Sequence, residues 1–174
     1  MSTSLDLRAF IRDVPDFPKP GILFRDVTPL LADARALKAA VRALADPFRE
    51  VGVEKVMGIE SRGFVLGTPV ALELETGFAL VRKAGKLPWR TRSVRYDLEY
   101  GTDTVEMHED ALRPGERVLV VDDLIATGGT AAAAVQLARD CQAHVVGCAF
   151  LIELTALEGR RRLGVESIHT LLRY

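Results

Sequence analysis

The chain of 174 residues has the length of one ordinary domain, and 48% hydrophobic with 27% charged residues is the balance of a soluble globular protein, not a disordered one. A formal net charge of −1 supplies no global field for nucleic acid or an anionic membrane, so neither is expected as a partner. No run of residues is apolar enough to span a bilayer, Asp6, Arg8 and Arg12 interrupt what would be the core of a signal peptide, and Cys141 and Cys148 read as reduced, packed thiols of a cytoplasmic protein.

In chain order, the stretch 15–29, PDFPKPGILFRDVTP, carries four prolines, which rule out a helix and predict an extended, ordered loop outside the central sheet. Asp33 has the position of an N-cap for a helix with Leu37, Val41 and Leu44 on one face, ended or kinked by Pro47. From Glu54 onward, β-branched runs at 55–59, 78–82, 117–121 and 144–152 alternate with helical stretches at 64–74 and 130–140. That alternation predicts an α/β fold with parallel strands and crossover helices. Residues 83–108 break the rhythm and read as a two-stranded ribbon turning at Gly101 and Thr102, also outside the sheet and able to act as a mobile flap. No repeat or linker divides the chain.

Three segments carry chemistry. Ligands of open parallel sheets bind beyond the carboxyl ends of the strands, and the apolar run VLVV is followed there by Asp122, Asp123 and then Ala126, Thr127, Gly128, Gly129 and Thr130. The small residues let backbone amides approach an anion, Thr127 and Thr130 add hydroxyls, and the following helix adds the positive end of its dipole. The carboxylates of an acidic turn suit the vicinal hydroxyls of a ribose, so the unit reads as a ribose 5-phosphate site. A solvated acidic turn with two glycines closing a tight connection is the plain alternative, less apt because all four parts occur in order. The hexapeptide Gly58 to Gly63 follows another strand, and Ser61 and Arg62 suit a second phosphate group, although alone they equally read as an N-cap and an exposed arginine. Arg82, Lys83, Lys86, Arg90, Arg92 and Arg95 run without an intervening acid, which fits either a polyanionic ligand or a solvated face. His108, His144 and His169 are scattered and suggest no metal site.

These segments together resemble the type I phosphoribosyltransferases. FPKPGILFRDVTPLL, GIESRGFVLG, VRKAGKLP, YDLEYGTDTVEMH and VVDDLIATGGT look like the corresponding stretches of the family's adenine-using branch, in the same order, over essentially the whole length. The resemblance implies an open, mainly parallel twisted sheet flanked by helices, a single domain over 1–174 with an N-terminal hood at 1–32, and a flexible flap at about 83–108. It implies transfer of the phosphoribosyl group from phosphoribosyl pyrophosphate to adenine, giving AMP and pyrophosphate. Magnesium would be held mainly by the substrate's own oxygens, and the protein would be a homodimer. By the same resemblance Ser61, Arg62, Arg82 and Lys83 contact pyrophosphate, and Glu99 is the catalytic carboxylate, for proton transfer or charge stabilisation. Leu23, Phe24 and Arg25 receive adenine largely through main-chain groups; a core plug with Arg25 paired to Asp26 is the alternative for that stretch. Two other functions stay open: the same transfer onto hypoxanthine, guanine or xanthine, and a non-catalytic phosphoribosyl pyrophosphate sensor.

Overall fold

A computed structural model of the chain describes residues 5–97 and 101–174. The Pro-rich segment forms a small antiparallel ribbon, β1 (Arg12–Pro15) with β2 (Leu23–Asp26), and runs into a short helix, α1 (Thr28–Ala32). The expected extended, ordered loop thus includes two short paired strands. Pro29 falls in the first turn of α1, where its missing N–H costs nothing. Helix α2 (Ala34–Ala45) is capped as expected: Asp33 Oδ1 accepts from the amides of Arg35 and Ala36, each at 2.9 Å.

The central sheet has the order β5-β6-β4-β3-β7-β8-β9, comprising β3 (Lys55–Ile59), β4 (Gly77–Lys83), β5 (Thr91–Asp97), β6 (Thr102–His108), β7 (Arg117–Ile125), β8 (His144–Glu153) and β9 (Ile168–Arg173). The five strands from β4 to β9 in that order are parallel, and β6 and β5 continue the β4 edge antiparallel. Helix α3 (Arg62–Glu73) crosses from β3 to β4, whereas α4 (Gly129–Asp140) crosses from β7 to β8 in the opposite direction along the sheet. The β3/β7 boundary is therefore the topological switch point, the crevice where open α/β sheets bind ligands.

Two cores cover the faces. Ala36, Ala40, Val41 and Leu44 of α2 join Leu66 and Val70 of α3 against Val56, Leu119, Val121 and Leu151. On the other face Ala134, Leu137 and Ala138 of α4 pack with Met57, Val81, Val120 and Phe150. Among the described residues no helix is long and apolar enough to cross a membrane, and Cys141 and Cys148 are buried free thiols.

Three expectations need correction. The acidic pair is not in a turn: β7 keeps its ladder with β8 through Asp122↔Phe150 and as far as Ile125↔Glu153, so pairing with a buried neighbour overrides the poor strand propensity of Asp. The ribbon is not outside the sheet, because β6 pairs with the end of β4 at Arg82↔Glu106 and Lys83↔Val105. Its register is not that of a turn at Gly101 and Thr102, since Thr102 is already in β6 and pairs with Asp97. Strand β9 went unread from the sequence altogether.

Candidate active site

Three cavities meet at the switch point. The middle one, about 440 Å³, lies among Ser61, Arg62, Lys83, Asp122, Asp123 and Thr130, with Glu60, Tyr96 and Asp103 also on its wall. Arg62 is shared with a cavity of about 380 Å³ beneath the β1–β2 ribbon, lined by Val14, Phe17, Phe24, Asp26, Val27 and Thr28. Asp122, Leu124 and Thr130 are shared with a third, of about 170 Å³, formed by the loop from Ala126 through Gly129. An apolar pocket, a charged middle and a small anion-sized loop thus stand in line.

The loop follows from its sequence. Gly128 is the residue before α4 and has φ +79°, the left-handed region that glycine adopts without penalty. It brings the first-turn amides of α4, which have no partner one turn back, to the cavity floor. The acidic pair is held from the other side. A Cβ on Gly63 would lie 2.9 Å from both Asp122 Oδ1 and the Val121 carbonyl oxygen, so the start of α3 reaches the carboxylate only because residue 63 is glycine. Asp123 is buried, and its carboxylate accepts a hydrogen bond from Arg62 Nε. Burial, then the charge of Asp123, raises the Asp122 carboxyl well above the ordinary carboxylate range. The Arg62 guanidinium is raised in turn: burial works against its charge, but the hydrogen bond and charge of Asp123 outweigh it.

Arg62 also stands 5.9 Å above the Phe24 ring, linking the charged middle to the apolar pocket. Phe24 meets Phe17 edge to face with centroids 5.2 Å apart. Of the three residues expected at the base, only Phe24 turns its side chain into that pocket. Leu23 is 47% exposed. Arg25 forms an ion pair with Asp13 and lies 4.0 Å from the centre of the Tyr174 ring. The core-plug alternative fails on its partner, because Asp26 accepts from Thr28 (N at 2.9 Å, Oγ1 at 2.8 Å) and not from Arg25.

Arg82 departs from expectation. Its Nε donates to Glu60 Oε2 at 3.2 Å and its Nη1 to the Lys86 carbonyl at 3.0 Å, so it braces the wall without lining the cavity. Glu60 also accepts from the Lys83 amide at 3.0 Å. Burial alone would raise the Glu60 carboxyl, but that amide and Arg82 bring it below its usual value. Lys83 does reach the cavity, with Nζ 3.3 Å from Asp103 Oδ2. Glu60, Tyr96 and Asp103 were missed from the sequence. Tyr96 and Asp103 are cross-strand partners, a register that a turn at Gly101 and Thr102 does not give. Glu99 lies outside the described residues.

The phosphoribosyl transferase domain family model matches residues 28–169. The chain is 56% identical over 169 residues to adenine phosphoribosyltransferase of Myxococcus xanthus, covering 97% of this chain and 92% of that protein. It is 58% identical over 168 residues to adenine phosphoribosyltransferase of a Nocardioides species, covering 94% and 91%. Among solved structures, adenine phosphoribosyltransferase of Rhodothermus marinus superposes with a TM-score of 0.92 at 56% identity, over 97% of this chain and 96% of that one. The Saccharomyces cerevisiae adenine phosphoribosyltransferase, solved with an imino-altritol bisphosphate and adenine, superposes with a TM-score of 0.90 at 40% identity, over 95% and 96%.

Proposed function

The chain belongs to the phosphoribosyltransferase family, and from that premise we propose that it transfers the 5-phosphoribosyl group of phosphoribosyl pyrophosphate to adenine, releasing AMP and pyrophosphate in purine salvage. The observation that carries the reading is the line of three cavities across the β3/β7 crevice, each with the chemistry of one part of the reaction.

The 5-phosphate takes the loop Ala126 to Thr130 and its hydroxyls. Asp122 and Asp123 accept from the ribose hydroxyls. The pyrophosphate takes the Ser61, Arg62 and Lys83 side of the middle cavity, with Arg82 behind it. Adenine enters beneath the hood, stacked by Phe24 and read by main-chain groups of Leu23 to Arg25, which suits a base that presents a donor amine beside ring acceptors. The base nitrogen attacks the anomeric carbon. The bond from that carbon to pyrophosphate oxygen breaks, pyrophosphate leaves with the electron pair, and the base loses a proton. Positive charge builds on the ribose as in glycoside cleavage, and Glu99 either opposes it or takes the proton. Closure of the ribbon at 83–108 excludes water, which would hydrolyse the activated sugar.

The donor set fits a magnesium ion that arrives on its substrate. Asp122 and Asp123 offer hard oxygens, whereas among the described residues no three or more His, Cys, Asp or Glu side chains come together as a metal site. When bound, the ion would neutralise charge on the departing pyrophosphate. We further place the protein in the cytoplasm, as the buried free thiols favour, and as a homodimer. Val65 and Leu72, seven residues apart on α3, are 47% and 73% exposed and offer an apolar patch for the second copy.

Incubation with magnesium, phosphoribosyl pyrophosphate and single bases, followed by nucleotide detection, tests the assignment. Adenine should be turned over. Turnover with hypoxanthine but not adenine would replace the base, and none with any base would favour the sensor. Glu99→Gln should lower kcat by about 10²-fold with little change in substrate KM, and an unchanged kcat removes Glu99 from catalysis.

A further inference from the structure

Behind the phosphate loop stands a turn that none of the chemistry above uses. After β8 the chain forms a 3-10 turn, Gly159–Arg162, whose first residue is buried. A Cβ on Gly128 would lie 2.3 Å from the Gly159 carbonyl oxygen. A Cβ on Gly159 would lie 2.2 Å from the Ala126 carbonyl oxygen and 2.7 Å from the Gly128 nitrogen. Two backbones are therefore in contact with no side chain between them, and Gly159 is the back wall of the loop 126–128. The neighbouring hydrogen bond from the Leu154 amide to the Ile125 carbonyl, 3.0 Å, ties the same return segment to the end of β7.

The next residue, Arg160, fixes where that wall stands. Its Nε and Nη2 donate to the two oxygens of Glu153 at 3.0 and 2.7 Å, and its Nη1 donates to the Ile168 carbonyl at 2.8 Å. Glu153 ends β8 and is only 8% exposed; Thr170 Oγ1 donates to it at 2.9 Å and Arg173 stands 3.4 Å away. A buried carboxylate persists only when paired and hydrogen-bonded, and the planar fork of arginine satisfies both oxygens in one orientation. The guanidinium thus pins the turn to β8 and β9 together, one residue from the glycine that touches the loop. Arg161, by contrast, is exposed and pairs with the adjacent Glu158.

We infer that Arg160, held by Glu153 and Thr170, is a positioning residue for phosphate binding: it sets Gly159 against Ala126 to Gly128 so that the loop amides keep the geometry a phosphate requires. This rests on the proposed phosphoribosyl site. Calorimetric titration of the intact protein with ribose 5-phosphate, alongside steady-state kinetics, tests it. Arg160→Met should weaken ribose 5-phosphate and raise the KM for phosphoribosyl pyrophosphate by about 10-fold each, with the KM for adenine within about twofold. Arg160→Lys, which keeps charge but loses the fork, should fall between, and Arg161→Met should match the wild type. If Arg160→Met does not fold, Thr170→Val, which removes one hydrogen bond to Glu153 and leaves the ion pair, should still weaken ribose 5-phosphate by about twofold to threefold. Unchanged ribose 5-phosphate affinity in a folded Arg160→Met protein, or in Thr170→Val if that is the variant available, overturns the inference. A wild type that binds no ribose 5-phosphate and turns over no base overturns the phosphoribosyl reading itself.

Discussion

Arg62 and Asp123 neutralise each other across the middle cavity, yet the proposed reaction needs the first for pyrophosphate and the second for ribose. In the proposed reaction substrate would divide the pair, and a magnesium ion carried on it would compensate the carboxylate left behind. Asp122 is the costlier group. Its carboxyl is raised well above 3.8 by burial and by the Asp123 charge, so between 3.8 and the raised value the native state holds a proton that the unfolded chain has released. Native stability therefore falls as pH rises through that window and stays reduced above it. Asp122→Asn removes the ionisation and should raise the Tm of the ligand-free protein by about 3 °C at pH 8 while weakening phosphoribosyl pyrophosphate binding. Calorimetric scans at pH 4 and 8 check the sign: the gain should shrink at the lower pH, and an equal gain at both would mean that ionisation of the buried carboxyl is not the cause. At this scale the sequence was most legible where polar residues follow an apolar strand run or open a helix. Asp122, Asp123, Thr130, Ser61, Arg62 and Lys83 all line one cavity. The place of Arg82 behind that wall was not legible, because its partner, Glu60, is a neighbour only once β3 and β4 lie side by side.

Among elements, the loop before α4 depends on two backbones meeting without side chains. Gly128→Ala would face both the positive φ and the Gly159 carbonyl, and should cost about 2–4 kcal/mol in urea unfolding. A cost below about 1 kcal/mol would mean that the return turn yields freely and that the two segments are not braced. The parallel strands and their helices were readable because burial on both faces demands continuous apolar runs and helical spacing. The ribbon and β9 were not. Residues 91–97 alternate in burial like any half-exposed strand, and nothing local in TRSVRYD tells whether it pairs with the main sheet or stands apart. That decision is made by its partner strand β6, whose Glu106 and Val105 pair with Arg82 and Lys83 of β4. In the same way β9 gains its place from β8, not from its own pattern.

For the whole molecule, the exposed apolar residues of α3 lie on the outer surface of the layer that also begins at Arg62, so a second copy seated there would be joined to the site by one rigid helix. Leu72→Glu should shift sedimentation from dimer to monomer, and a dimer of undiminished strength would move the interface elsewhere. The ribbon grows from β4 at the two residues proposed to brace and contact pyrophosphate, while its other strand reaches the start of α4, where the Asp97 carbonyl oxygen stands 3.1 Å from the place of a Cβ on Gly129. In the proposed reaction the root of the ribbon and the seat of the leaving group would therefore be the same short length of chain. A pyrophosphate drawing Lys83 from Asp103 would act directly on a strand of the ribbon, so that departure of the group and movement of the proposed flap would share a single lever.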